Sequence, residues 1–321
     1  MTKALILTLV ILLALVLAAF GAGYYMFRFA VARRPQKTDY WDPDVPLWDT
    51  NDTLSREDYE KMNRGADWIK RYPYETVYTT SHDGLKLGGR LFEPEQTPCR
   101  GQYILVHGYR SWSIYDFSCV VKLLLNEGFS CLLIDQRAGG LSEGKYIGFG
   151  VLERHDLVRW CEYVKIRFPE RPVILDGVSM GGATIMMGCG LGYPDNVRAL
   201  VCDCGYTTPA AICKRTLKRW FKLPPFPIYY TANLFVKLFA GYSLNEVSSV
   251  DCLKKNRLPI LIAHGKKDGF VPYEMSEENF RSCGDGAALF TSEEADHGLA
   301  FLRDHEGYMK EIRALWDRAG I

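Results

Sequence analysis

Hydrophobic positions along the chain fall into three regimes. From Ala4 to Phe27 there are 24 residues without a charge, mostly Leu, Val, Ile and Ala. A helix rises about 1.5 Å per residue, so this run reaches ~36 Å, enough to cross a hydrocarbon core of about 30 Å. Tyr24 and Tyr25 stand near one end, where a membrane–water interface favours aromatic rings. A cleaved secretory signal has an apolar core of only ~7–15 residues and stronger leading charge. Residues 1–37 therefore read as a retained transmembrane anchor with a basic flank. Residues 38–73 are first rich in Asp, Trp and Pro (Trp41, Pro43, Pro46, Trp48) and then amphipathic from Ser55 to Lys70. Ser55 with Asp58 three residues later is a helix-start signature, predicting a tether followed by a packing helix.

From Glu75 onward the pattern changes to short apolar runs at Tyr103–Val106, Ser130–Ile134, Pro172–Leu175, Val197–Val201 and Pro259–Ala263. Amphipathic stretches such as Phe117–Asn126 and Leu152–Arg167 lie between them. Continuous apolar strands alternating with helices predict a parallel sheet covered on both faces, an α/β fold over residues 74–321. Two earlier runs, Glu75–Thr80 and Leu85–Phe92, are joined through Asp83-Gly84 and read as an antiparallel hairpin. Residues 205–256 interrupt the alternation and read as an insertion.

Charge sharpens this division. Of 39 basic residues, Lys3, Arg28, Arg33, Arg34 and Lys37 all precede the first acid, Asp39, so the remainder is slightly acidic. A chain without a basic surplus on its main domain is not expected to bind nucleic acid. Positive charge following the span places the carboxyl-terminal bulk on the cytoplasmic side of a cell membrane, single-pass. All ten cysteines lie beyond the anchor without framework-like spacing, as expected of buried small hydrophobes in a reducing compartment. Cys202-x-Cys204 lacks a matching His/Cys pair, so no zinc site is expected, and no cofactor motif occurs.

The chemistry-bearing residues follow the apolar runs, at the carboxyl ends of strands where α/β sheets hold their sites. Gly177-Val178-Ser179-Met180-Gly181 sits between a strand and a helical run, the setting in which Gly-x-Ser-x-Gly exposes a serine hydroxyl. The Met180 N–H, at the helix start, would face a developing oxyanion. A second N–H is expected from Tyr109, after the strand that ends at Val106, with Gly108 allowing close backbone approach. His297, on the loop after Ala287–Thr291, is the candidate base. Asp268, after the strand at Pro259–Ala263, is the candidate orienting acid, with Asp203 and Asp296 as rivals. His107 reads as a structural residue beneath the site. His82, His155 and His305 read as solvated.

On these residues the chain resembles serine hydrolases of the α/β-hydrolase superfamily, esterase- or lipase-like and of bacterial type. The resemblance runs from about Glu75 to the carboxyl terminus. It includes His107-Gly108-Tyr109, the Asp135–Ser142 turn, Gly177 to Gly182, His264 to Asp268, and His297-Gly298. It implies a Ser179/Asp268/His297 triad, in the chain order of that family. It also implies structural roles for Asp135 and Arg137, and a helical cap over residues 205–256. Gly139 departs from the family, which often has His there. The cap carries Lys214, Arg215, Lys218, Arg219 and Lys222 within nine residues, together with Trp220, Phe221, Phe226, Tyr229, Tyr230, Phe235 and Phe239. Its aromatics could pack on the core or form an acyl pocket.

The resulting expectation is a membrane-anchored hydrolase of carboxylic esters, with a small-molecule or lipid-like acyl substrate and no metal or organic cofactor. Peptidase, amidase, thioesterase or acyltransferase activity on the same scaffold, or a catalytically silent tethered binding module, are the alternatives.

Overall fold

In the computed structural model, which describes residues 3–35, 38–42, 45 and 54–321, eight strands form one sheet. The part of the expected tether holding Pro43, Pro46 and Trp48 lies outside the described residues. The strands are β1 (Glu75–Thr80), β2 (Lys86–Phe92), β3 (Gly101–Val106), β4 (Phe129–Ile134), β5 (Val173–Val178), β6 (Val197–Asp203), β7 (Ile260–Gly265) and β8 (Ala287–Ser292). Their order is β1-β2-β4-β3-β5-β6-β7-β8. The first two pair antiparallel around a turn with Gly84 at φ +88, and β2 pairs antiparallel with β4. Every later pairing is parallel. This is the α/β-hydrolase fold.

All residues of β3, β4 and β7 are buried, as continuous apolar runs require when helices cover both faces. Alternation divides the core in two. Ile104 and Val106 of β3 pack with Trp160 and Met186 on one face, and Tyr103 and Leu105 pack with Phe129 and Trp316 on the other.

The helices are α1 (Lys3–Ala30), α2 (Arg56–Arg71), α3 (Ser113–Asp116), α4 (Val121–Asn126), α5 (Glu153–Arg167), α6 (Met180–Gly188), α7 (Pro209–Arg219), α8 (Pro225–Phe235), α9 (Ser249–Leu253), α10 (Tyr273–Arg281), α11 (Ala300–Arg303) and α12 (His305–Ala319). Ser55 and Asp58 cap α2 reciprocally, and Asp58 also binds the Arg303 guanidinium at 2.5 and 2.6 Å. The helix expected over Phe117–Asn126 is helical only from Val121 onward, as α4; Phe117–Val120 form a break between it and the short α3. At the break α2 passes over, with Gly65 so close that a Cβ there would come within 2.1 Å of the Ser118 carbonyl oxygen.

Residues 3–18 of α1 are exposed, whereas Phe27 and Val31 are buried in the core. The chain beyond α1 is bonded into the domain at once. Ile147 donates to Val31 O at 2.8 Å, Arg33 N donates to Lys145 O at 2.8 Å, and the Arg33 guanidinium donates to Ser142 O at 2.7 Å and Gly140 O at 3.2 Å. The segment between β6 and β7 holds α7, α8, a π-turn at Val236–Ala240 and α9. There α8 lies along α1: Thr231 Oγ1 donates to Ala19 O at 3.0 Å, and a Cβ at Gly23 would stand 2.2 Å from that same oxygen. No pattern of spacing in the sequence announces this helix pair.

Candidate active site

The sheet reverses its order of addition at β3: β4 is laid on one side and β5 on the other. A crevice opens at the carboxyl ends of such a strand pair. The turn after β3 supplies Gly108 and Tyr109, and the turn after β5 supplies Ser179. Ser179 holds φ 56, ψ −114, left-handed in φ for a residue with a Cβ, and its N–H donates to Asp203 O at 2.8 Å. Two glycines make that turn possible. A Cβ on Gly181 would meet Val106 O at 1.8 Å, and one on Gly177 would meet Gly181 C at 2.5 Å. Met180 is the first residue of α6, where no earlier carbonyl of the helix meets its N–H. Gly108 is close enough to Ser179 that a Cβ on it would touch the serine Cβ at 3.4 Å.

Three distant side chains meet here. Ser179 Oγ lies 2.9 Å from His297 Nε2, and His297 Nδ1 lies 2.7 Å from Asp268 Oδ2. Asp268 Oδ1 accepts from Phe270 N and Val271 N, both at 2.8 Å. Burial pushes the Asp268 carboxyl up, but hydrogen bonds and charge from His264 and His297 outweigh it and hold it well below the usual carboxylate range. For His297, burial disfavours the charged ring. The Asp268 bond and charge, with Asp203 and Asp116 beyond, outweigh burial and raise its pKa.

The rival acids stand elsewhere. Asp296 Oδ1 accepts from Gly269 N at 3.0 Å and His297 N at 2.7 Å, tying the two loops together. Asp203 is buried, burial pushes its carboxyl up to about 6, and the His297 Nδ1 hydrogen bond goes to Asp268 instead. His107 bridges two turns: Nδ1 lies 2.8 Å from Gly108 O, and Nε2 accepts from Gln136 N at 3.0 Å. His155 is half-buried rather than solvated, its ring 4.6 Å from that of the exposed His82.

Some participants carry no sequence signal of this role. His264 Nε2 lies 2.9 Å from Asp268 Oδ2 and 3.1 Å from Val271 O, which only accept, so it donates; Nδ1 then accepts from Ser276 Oγ at 2.5 Å. Asp116 accepts from Gly108 N and Ser111 Oγ, both at 2.6 Å, and so holds the turn that carries Tyr109. The Tyr109 ring stacks on Phe149. At Asp135–Ser142, Asp135 binds Arg90 and accepts from Leu141 N, and Arg137 is clasped by Asp83 and Asp156. Gly139 there makes a tight turn, donating to Gln136 O at 3.0 Å.

The serine opens on a cavity of about 910 Å³ with mostly apolar walls. They include Phe29 and Ala30 of α1, Tyr109, Phe149, and Phe221 and Tyr229 of the inserted segment. Ligand-type atoms of Cys204, Asp268 and His297 cluster within 4.8 Å, as do those of His82, Asp83 and Asp156. Asp268 and His297 of the first set are bonded to each other, and Asp83 and Asp156 of the second bind Arg137.

The model of a family described as serine aminopeptidase, S33, matches residues 97–246. The uncharacterised protein YqkD of Bacillus subtilis is 26% identical over 235 residues, 73% of this chain and 76% of its own. YfhR of Escherichia coli K12, also uncharacterised, is 25% identical over 242 residues, 74% and 78% of the two chains. Among solved structures, the Pyrococcus furiosus esterase Pf2001 superposes with a TM-score of 0.62 at 24% identity, over 77% of this chain and 91% of that one. The Butyrivibrio proteoclasticus enzyme Est1E, solved with ferulic acid bound, gives 0.58 at 21% identity, over 75% and 96%.

Proposed function

We propose, from the premise that the chain is an esterase-like member of the α/β-hydrolase superfamily, that it is a membrane-anchored serine hydrolase of carboxylic esters. One observation carries the reading: an unbroken line of hydrogen bonds from Ser179 through His297 to Asp268, opening on an apolar cavity. In this reading His297 Nε2 takes the hydroxyl proton as Ser179 Oγ attacks the ester carbonyl, and Asp268 keeps the Nδ1–H tautomer and steadies the imidazolium. The amides of Met180 and Tyr109 stabilise the oxyanion. Collapse expels the alcohol, protonated by His297. Water, activated by the same ring, then releases the carboxylic acid and restores the serine.

The anchor is α1, whose exposed apolar length supports a single membrane crossing. Exposed Arg28 in its last turn, with Arg33 and Arg34 just beyond, favours the cytoplasmic side for the domain. The match to the serine aminopeptidase model favours a second reading, cleavage of aminoacyl amides by the same three residues.

The test is labelling by a fluorophosphonate probe together with turnover of a soluble butyrate ester and an aminoacyl amide. Labelling at Ser179, lost with turnover in Ser179→Ala, is expected. A folded protein that takes no label would instead be a tethered binding module, and preference for the amide would select the peptidase reading.

A further inference from the structure

The helix α8 is apolar on two sides. Its inner side, with Ile228, Tyr229 and Ala232, is buried against the domain. On its outer side Tyr230, Leu234 and Leu238 recur every fourth residue and continue into the π-turn, 55%, 40% and 66% exposed. Phe226 extends the row, 74% exposed, its ring 5.8 Å from that of Tyr230. A helix that faces water on one side needs one apolar face, and a second calls for an apolar surround.

The position of α8 identifies that surround. It is bonded to α1 at Ala19 and packed at Gly23, with Phe235 against Phe20, Tyr24 and Phe27. The outer row is therefore held beside the last turns of the one helix long and apolar enough to cross a membrane among the described residues. Exposed Lys218, Lys222 and Lys237 accompany the row, and Arg28 and Arg34 emerge from α1, supplying positive charge for anionic headgroups.

The same junction borders the cavity. Phe29 of α1 and Phe221 of the cap meet edge to face at 5.5 Å, and both line the space that reaches Ser179. We propose that the outer face of α8 and the π-turn is seated in the bilayer beside α1, and that the substrate is a membrane-resident ester whose acyl chain passes from the leaflet through the Phe29–Phe221 junction to Ser179. This rests on the serine hydrolase reading and names its substrate class. Hydrolysis consumes one water and yields an alcohol and a carboxylic acid, which releases its proton to solvent and can stay in the leaflet as the carboxylate.

The full chain is reconstituted in nanodiscs of phosphatidylcholine and phosphatidylglycerol doped with a phospholipid bearing a diazirine in its tail. After irradiation, peptide mass spectrometry is expected to find lipid adducts within residues 226–239 as well as in α1. Adducts in α1 alone would overturn the proposal. In the same discs, Tyr230→Asp/Leu238→Asp is expected to slow hydrolysis of a monooleoyl glycerol ester by about tenfold or more, with turnover of a soluble butyrate ester within about twofold. Equal effects on both substrates, or none on either, would also overturn it. Wild-type protein without Ser179-dependent butyrate turnover would defeat the hydrolase reading instead, while the adduct pattern still decides the seating of α8.

Discussion

The phenolic hydroxyl of Tyr109 donates a 2.7 Å hydrogen bond to the carbonyl oxygen of Ala30. One partner lies in the turn whose amide is proposed to meet the oxyanion, and the other in the last turn of α1. Arg110 reinforces the joint by donating to Phe29 O and Ala32 O. Tyr109→Phe keeps the ring on Phe149 and the backbone amide but removes this bond. It is expected to lower unfolding free energy by about 1 kcal/mol, the usual net worth of one hydrogen bond, with kcat on a soluble ester reduced only a few-fold. Asp116 holds the turn independently. Asp116→Ala, which frees the Gly108 N–H, is expected to cost about tenfold or more in kcat. Denaturant titration and steady-state kinetics on the two variants check both.

In the proposed mechanism, ionisation of the His297–Asp268 pair sets the pH profile. Attack needs neutral His297, whose pKa is raised, so kcat/KM is expected to climb with pH through an inflection above the ordinary histidine value. The stability signs are opposite. Asp268, depressed, contributes stability above the unfolded carboxylate pKa that is lost as pH falls through its lower folded value. His297, raised, contributes below its unfolded pKa and loses that contribution as pH rises through its folded one. Asp268→Asn is expected to cost about 10⁴ in kcat and to shift the inflection downward. A profile flat through neutral pH in the wild type would contradict the assignment.

His264 acts on His297 only through their shared carboxylate. In His264→Ala, Asp268 keeps His297 and two backbone donors but loses one bond, and Ser276 loses its acceptor. The expectation is a loss of about tenfold in kcat, against about 10³-fold or more for His297→Ala. His264→Gln, whose side-chain amide can donate to Asp268, should recover part of the loss. Pre-steady-state acylation rates would separate these effects.

Arg137 is buried with Asp156 at 2.6 and 2.7 Å and with Asp83 at 3.0 Å. Removing one member strands the charge of the others, so Arg137→Ala should destabilise by about 3–5 kcal/mol. Because none of the three lines the cavity at Ser179, the protein that remains folded should keep its kcat. Thermal unfolding and active-site titration with a fluorophosphonate probe would test the pair of statements.

The eight strands were legible because each is a local event: β3 to β8 are apolar runs bounded by turn residues, and β1 and β2 flank the Asp83-Gly84 turn. Ser179 was legible for a related reason, since Gly177 and Gly181 stand two residues either side of it, although the clash that demands Gly181 is with Val106 on β3. The break at Phe117–Val120 was not, because the run keeps its apolar periodicity while α2 crosses over it. Nor was Asp116, an ordinary acid in its local setting whose partner is the Gly108 amide on another turn. The packing of Gly23 on Thr231 joins residues more than two hundred positions apart, which no local spacing can encode.

Because α1 runs into the domain without slack, with Val31 and Arg33 already bonded to the Lys145–Ile147 strip, the proposed membrane seating would hold the pocket at a fixed altitude above the bilayer midplane. A lipid layer whose hydrocarbon thickness departs from the length of α1 must tilt the helix or deform around it, at a cost of fractions of a kcal/mol per Å. Either response would raise, lower or rock the portal relative to the ester linkages of the proposed substrate, and the acyl length of the surrounding lipids would then be a control on turnover.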